Sequence, residues 1–197
     1  MPIPLAASSS AEHGAIVPIA SQTVSAAAGS DSLYFNNIPQ TYQDLMVVWT
    51  PRINSYSYNT ENCFLRINNT VTGTTFSSTW MQTNGITTST SYETSQVYGM
   101  RLGMIAPTYM SAPGTFGSTT IHILNYTSST ANKTILCKTA YDVNGTGGGS
   151  SFGVGLWSST APVTGLNLYG SGNFATNNYW SMQGTTCTVY GVRSVGQ

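Results

Sequence analysis

Charge is what this chain has least of. Only 6% of its 197 residues are charged, and its six acids cancel its six bases, where ordinary soluble domains carry roughly 25%. A freely diffusing protein relies on net charge to stay soluble. Its scarcity indicates a surface covered by copies of the same chain or by a larger assembly; a secreted Ser/Thr-rich β-protein is the other reading. The bases, Arg52, Arg66, Arg101, Lys133, Lys138 and Arg193, form no run, which argues against nucleic acid as a partner, since phosphate neutralisation needs clustered cations. Cysteine is scarce too. Cys63, Cys137 and Cys187 are odd in number, widely spaced and without a CxxC pair, so neither a disulfide framework nor a zinc knuckle is indicated. Each lies in an alternating segment and reads as a small buried apolar residue, with one disulfide left open. No apolar run reaches the ~20 residues of a membrane-spanning helix, so no membrane partner is expected. Met1–Ala7 lacks the basic and apolar regions of a signal peptide.

What is present is alternation of period two, the mark of half-buried strands. At the C-terminal end, Leu166 and Leu168 oppose Asn167 and Tyr169, and Cys187, Val189 and Gly191 oppose Thr186, Thr188 and Tyr190. This last segment must be paired to be ordered. Asp44–Thr50 is the most continuously apolar strand and is expected to be central. In residues 62–68, Cys63, Leu65 and Ile67 point in while Phe64 and Arg66 point out. Further strands are expected at 32–35, 74–80, 96–105, 119–125, 133–141 and 152–157, with Trp157 in the core. Residues 82–94, rich in Thr, Ser and Asn, read as a long surface loop, and 107–117 as a second. No segment shows a helical apolar period. The expected fold is all-β, an antiparallel β-sandwich of about eight to ten strands, and the jelly roll is the two-sheet solution that suits this length. Residues 31–197 form that domain. Residues 1–30 are an N-terminal arm with a weak first strand from Ala15, where Pro18 implies an edge or a bulge. Ile3 and Leu5 are the arm's apolar candidates for contact with a neighbouring subunit.

Chemistry is sparse. Glu12, Asp31, Asp44, Glu61, Glu93 and Asp142 stand apart in sequence, where catalysis needs convergent ionisable groups. They read as strand-end charges reaching solvent, although Asp44 and Glu61 could approach. His13 lies in the arm. His122 lies on the face opposite Ile121 and Ile123, with no second histidine at ligand spacing. There is no Gly-x-Ser-x-Gly elbow. The Gly145–Ser150 run lacks the Lys-Ser/Thr of a phosphate loop and reads as a hairpin connection. No enzyme activity, metal or cofactor is expected. Asn-x-Ser/Thr at Asn68, Asn125, Asn132 and Asn144 is expected by chance in such a chain. Tyr179 and Trp180, in a polar stretch, are the best aromatic candidates for contact with a partner.

The segment Ile38-Pro-Gln-Thr-Tyr-Gln-Asp-Leu-Met-Val-Val resembles the "IPxTYxDLxLV" segment of small virion proteins of tailed bacteriophages. Gly117-Ser-Thr-Thr-Ile-His-Ile-Leu-Asn-Tyr126 is similar to their "GSxxIxIxNY" strand, 154–163 to "GLWxSTAAI", and 172–192 to a "GNFxxGSTxxLYGI" ending. The resemblance spans roughly residues 30–193, with a longer aromatic insertion at 177–184. It implies a virion structural protein with a jelly-roll-like sandwich, often a homotrimer, and carries no catalytic residues. Two roles follow as expectations. One is a decoration or cement protein on the outer surface of the particle, bound to the major capsid protein. The other is a tail fibre, spike or baseplate module whose loops bind host-surface glycan.

Overall fold

The computed structural model describes residues 16–25, 32–54, 61–70, 75–96, 99–105, 114–143, 147–170 and 181–193. They hold twelve strands and no helix: β1 (Ile16–Thr23), β2 (Leu33–Asn36), β3 (Asp44–Thr50), β4 (Glu61–Ile67), β5 (Phe76–Thr83), β6 (Thr88–Gln96), β7 (Met100–Ile105), β8 (Ser118–Ile123), β9 (Lys133–Asp142), β10 (Gly148–Trp157), β11 (Gly165–Gly170) and β12 (Thr186–Val192). An eight-stranded sheet runs β1-β12-β3-β8-β9-β10-β5-β6, and a four-stranded sheet runs β2-β11-β4-β7. Every pairing is antiparallel. The sequence expectation of an antiparallel β-sandwich holds, with twelve strands in place of eight to ten.

Alternation sets which side chains meet between the sheets. Leu45, Val47 and Trp49 of β3, Ile121 and Ile123 of β8, and Cys187 and Val189 of β12 are all buried in one core with Leu65, Ile67, Leu166 and Leu168 of the small sheet. β3 is central, flanked by β12 and β8, as its apolar run requires. β12 is held between β1 and β3, which orders the C-terminal strand. β1 is an edge strand, and its register slips between Pro18 and Ala20, so Pro18 has both consequences expected of it. Residues 1–15, with Ile3 and Leu5, lie outside the described residues.

Turns follow the local chemistry. Asn68 and Asn69 take φ of 50° and 54°, and the Thr70 amide donates to the Ile67 carbonyl at 3.0 Å. Two consecutive positive-φ residues make the type I′ geometry, which Asn tolerates. Asn68 also ties this turn to the segment before β11: its Oδ1 accepts from the amides of Thr164 (2.8 Å) and Gly165 (3.0 Å), and its Nδ2 donates to the Pro162 carbonyl (2.8 Å).

Three expectations are corrected. Residues 82–94 are not a loop: β5 continues to Thr83, turns tightly through Asn84–Thr87 and returns as β6. Thr is a poor core residue but a good strand former, so a polar, Thr-rich edge strand shows no apolar alternation. Of the two residues expected to point out, Arg66 is buried and Phe64 half-buried. Phe64 stacks on Tyr169 (5.6 Å, 9° between planes), and the Arg66 guanidinium lies 5.4 Å from the Tyr169 ring centre. Arg66, Asn167 and Tyr169 are all buried, so β11 is covered on both faces and β4 in part. Glu61, read as a solvated strand end, is buried at the start of β4.

Candidate functional site

The distinctive surface lies on the outer face of the large sheet, around β10. In this strand Ser151, Gly153, Gly155 and Trp157 point inward and are buried, while Phe152, Val154 and Leu156 point outward. From Ser151 to Leu156 the small residues are inside and the large apolar ones outside, the reverse of a self-sufficient amphipathic strand. The cause is visible beneath. β7 crosses close to β9, β10 and β5, and a Cβ at Gly155 would overlap the Met100 side chain, its nearest atom being Sδ at 1.5 Å. At Gly153 a Cβ would sit 2.9 Å from Cys137 Sγ. Glycine on the inner face is what lets the small sheet approach.

Phe152, Val154 and Leu156 remain 43%, 40% and 37% exposed, and Met81 and Tyr92 beside them 51% and 74%. Register assembles them into one patch. Phe152 lies opposite Met81 on β5 and Lys138 on β9; Val154 lies opposite Thr79 and Leu136; Thr79 in turn lies opposite Tyr92. Beyond Leu136 the same row continues through His122 to Met46. Next to the patch is a shallow hollow of about 510 Å³ walled by Met81 and Phe152, with Thr120, Lys138 and Ser150 also lining it.

Charge is scarcer on the surface than in the composition. Among the described residues, Lys138 and Asp142 are the two exposed charged side chains; Arg66, Lys133 and Glu61 are buried, and the others half-buried. The interior ones have structural work. Lys133 Nζ donates to the carbonyls of Ser128 (2.7 Å), Ala131 (2.7 Å) and Thr160 (3.3 Å), joining two loops. Arg101 reaches from β7 to the β5–β6 hairpin, with its guanidinium 4.3 Å from the Trp80 ring centre and 3.5 Å from Glu93 Oε1. Burial pushes the Arg101 pKa down and Glu93 opposes that. Asp44 Oδ1 accepts from the Asn125 amide at 2.6 Å.

Of the residues singled out from sequence, Tyr179, Trp180, Glu12, Asp31 and His13 lie outside the described residues. His122 is exposed on the outer face, opposite Met46 and Leu136. Asp44, Glu61, Glu93 and Asp142 open or sit within four different strands. No group of three or more His, Cys, Asp or Glu among the described residues could hold a metal ion. All three cysteines are buried free thiols. Burial raises each thiol pKa, that of Cys137 to about 12.

No family model, no curated protein and no solved structure compared with the chain matches it.

The outward patch was missed from sequence, yet a signal for it exists. Trp157 reads as core, and parity then puts Gly155, Gly153 and Ser151 inside with it. Phe152, Val154 and Leu156 must therefore face out.

Proposed function

We propose that this chain is a structural protein of a tailed-bacteriophage particle, a decoration or cement protein. It would sit on the outer surface of the head as a homotrimer with a jelly-roll-like sandwich, bound to the major capsid protein. The observation that carries the reading is the inverted strand β10. Phe152, Val154 and Leu156, with Met81 and Tyr92, make an apolar outer face that the fold itself does not need, on a surface almost without charge. Contiguous exposed apolar surface marks interaction sites, and covering it against another protein gains about 25 cal/mol per Å². The resemblance of residues 30–193 to small virion proteins supplies the kind of assembly. The arrangement would work by burial alone, with no catalytic step.

The test is the number of copies per purified particle, by quantitative mass spectrometry against the major capsid protein. A number comparable to the shell subunits supports the head-decoration role. A handful of copies overturns it in favour of a tail fibre, spike or baseplate module. Absence from the particle removes the virion reading altogether.

A further inference from the structure

The open edge of β6 has a longer regular stretch than the other three sheet edges. Unpaired strand edges invite pairing with another chain, and proteins blunt them with proline, bulges or short strands. β1 carries Pro18 and a register slip. β2 has four residues. β7 is bulged opposite Cys63/Phe64. β6 is nine residues long and without proline; it too is bulged, between Glu93 and Gln96 opposite Phe76–Ser78, but its pairing with β5 is regular over the six residues from Thr88 to Glu93. Thr88, Ser89, Thr90, Ser91 and Tyr92 are exposed whichever face they point to. Arg101 of β7 reaches only its far end, at Glu93 (3.5 Å) and Gln96 (3.4 Å).

The hairpin fixes which backbone groups are free. The Asn84 amide donates to the Thr87 carbonyl at 3.2 Å, making that a hydrogen-bonded pair. Hydrogen-bonded and open pairs alternate along an antiparallel ladder. Ser89, Ser91 and Glu93 therefore bond to β5, while Thr88, Thr90 and Tyr92 direct their N–H and C=O groups to the open edge.

We infer that this edge pairs antiparallel with β6 of a second copy, about a two-fold axis at Thr90, to make one sheet continuous through both molecules. The sequence suits a copy of itself. Centred on Thr90, Thr88 faces Tyr92 twice, Ser89 faces Ser91 and Thr90 faces its own mate. All the paired residues lie in the regular stretch, and every edge-directed backbone group from Thr88 to Tyr92 gains a partner. Thr with Tyr is a favourable cross-strand combination, and like charges directly opposite are not. The strand's one charge, Glu93, falls opposite Thr87 and not its own mate. Tyr92 is on the outer face beside Val154, so the pairing would also run the apolar patches of two copies together. The inference stands on the edge geometry and not on the particle reading. In a trimeric particle protein this two-fold would join neighbouring trimers.

The experiment is light-scattering mass after gel filtration of the full chain at tens of micromolar, with thermal melting of each variant to confirm folding. Wild type should have a mass that is an even multiple of the chain mass. Thr90→Pro should halve it, because the lost N–H faces the edge and the β5 ladder is untouched. Thr90→Asp and Thr90→Lys should each halve it too, by placing like charges across the axis, and an equal mixture of the two should restore it. Restoration requires Thr90 to face itself, which no other contact predicts. A monomeric wild type overturns the inference, as do folded variants that keep the wild-type mass, or a mixture of the Asp and Lys variants that stays at half mass. Copy number in particles is a separate measurement and can fail without affecting this one.

Discussion

Gly155→Ala tests the inverted strand on which the functional reading rests. The added Cβ would lie 1.5 Å from Met100 Sδ, 2.7 Å from Cγ and 2.9 Å from Cε. Met100 is 1% exposed, so its side chain cannot swing into solvent. It must displace neighbouring core groups or push the two sheets apart. Overpacking of this kind costs about 1–3 kcal/mol, sometimes more, and a clash with three atoms of one side chain belongs at the upper end. Restricting the unfolded chain returns roughly 0.4–1 kcal/mol, leaving a net loss of about 2–3 kcal/mol. At ~2–4 °C per kcal/mol for a chain of this size, melting should fall by about 4–12 °C. Chemical denaturation of Gly155→Ala, Met100→Ala and the double variant separates the clash from other causes. Met100→Ala alone should cost about 2–5 kcal/mol through its cavity. In the double variant the clash is gone and the new methyl fills part of the hole, so its loss should be smaller than the sum of the singles by about 2 kcal/mol. If Gly155→Ala is as stable as wild type, or if the two losses simply add, β10 does not turn its glycines toward β7. Phe152, Val154 and Leu156 would then belong to the core, and the apolar outer face would not exist.

Val154→Thr with Leu156→Thr should cost under about 1 kcal/mol each, since both side chains are already partly exposed and Thr suits a strand; retention on particles in a sedimentation assay should fall at least tenfold, and unchanged retention would mean that this face is not the contact. Lys133→Met should lower stability by about 2–3 kcal/mol in urea titrations, because charge-assisted bonds to three carbonyls are lost at once; a neutral result would mean those loops hold without it. The thiols set a pH dependence. Their folded pKa values lie above the unfolded one, Cys137 rising from 9.0 to about 12. Below pH 9.0 both states hold the proton and stability is flat with respect to this group. Above it the unfolded chain loses the proton first, so stability falls by up to ~1.4 kcal/mol per pH unit for each thiol until the folded thiol ionises. Denaturant midpoints measured between pH 7 and 11 should show that decline, and a thiol reagent should find all three cysteines only after unfolding.

Much of the fold is legible because burial on one face writes itself as alternation. β3, β8, β9 and β12 each present apolar residues at every second position and face the core with them. Alternation fails where both faces are covered or neither is. β11 is enclosed on both sides and β4 in part, so Arg66 and Asn167 look like surface residues while being buried beside Tyr169. β6 is exposed on both faces from Thr88 to Tyr92, so it shows no apolar period and reads as a loop, although its ladder with β5 makes it a strand. The apolar outer face escaped for a related reason. An apolar residue in a strand is taken to point inward until a core residue fixes the parity, and in β10 the fixing residue is Trp157 at the far end. Composition, in contrast, understates its own signal. A chain with 6% charge might still have kept its charges for the surface. Here Arg66, Lys133 and Glu61 lie inside and Arg101 is held between Trp80 and Glu93, so among the described residues little charge is left to keep copies apart. A surface depleted in this way, with Phe152, Val154 and Leu156 turned out near a sheet edge that is regular from Thr88 to Glu93, is what the proposed assembly role requires.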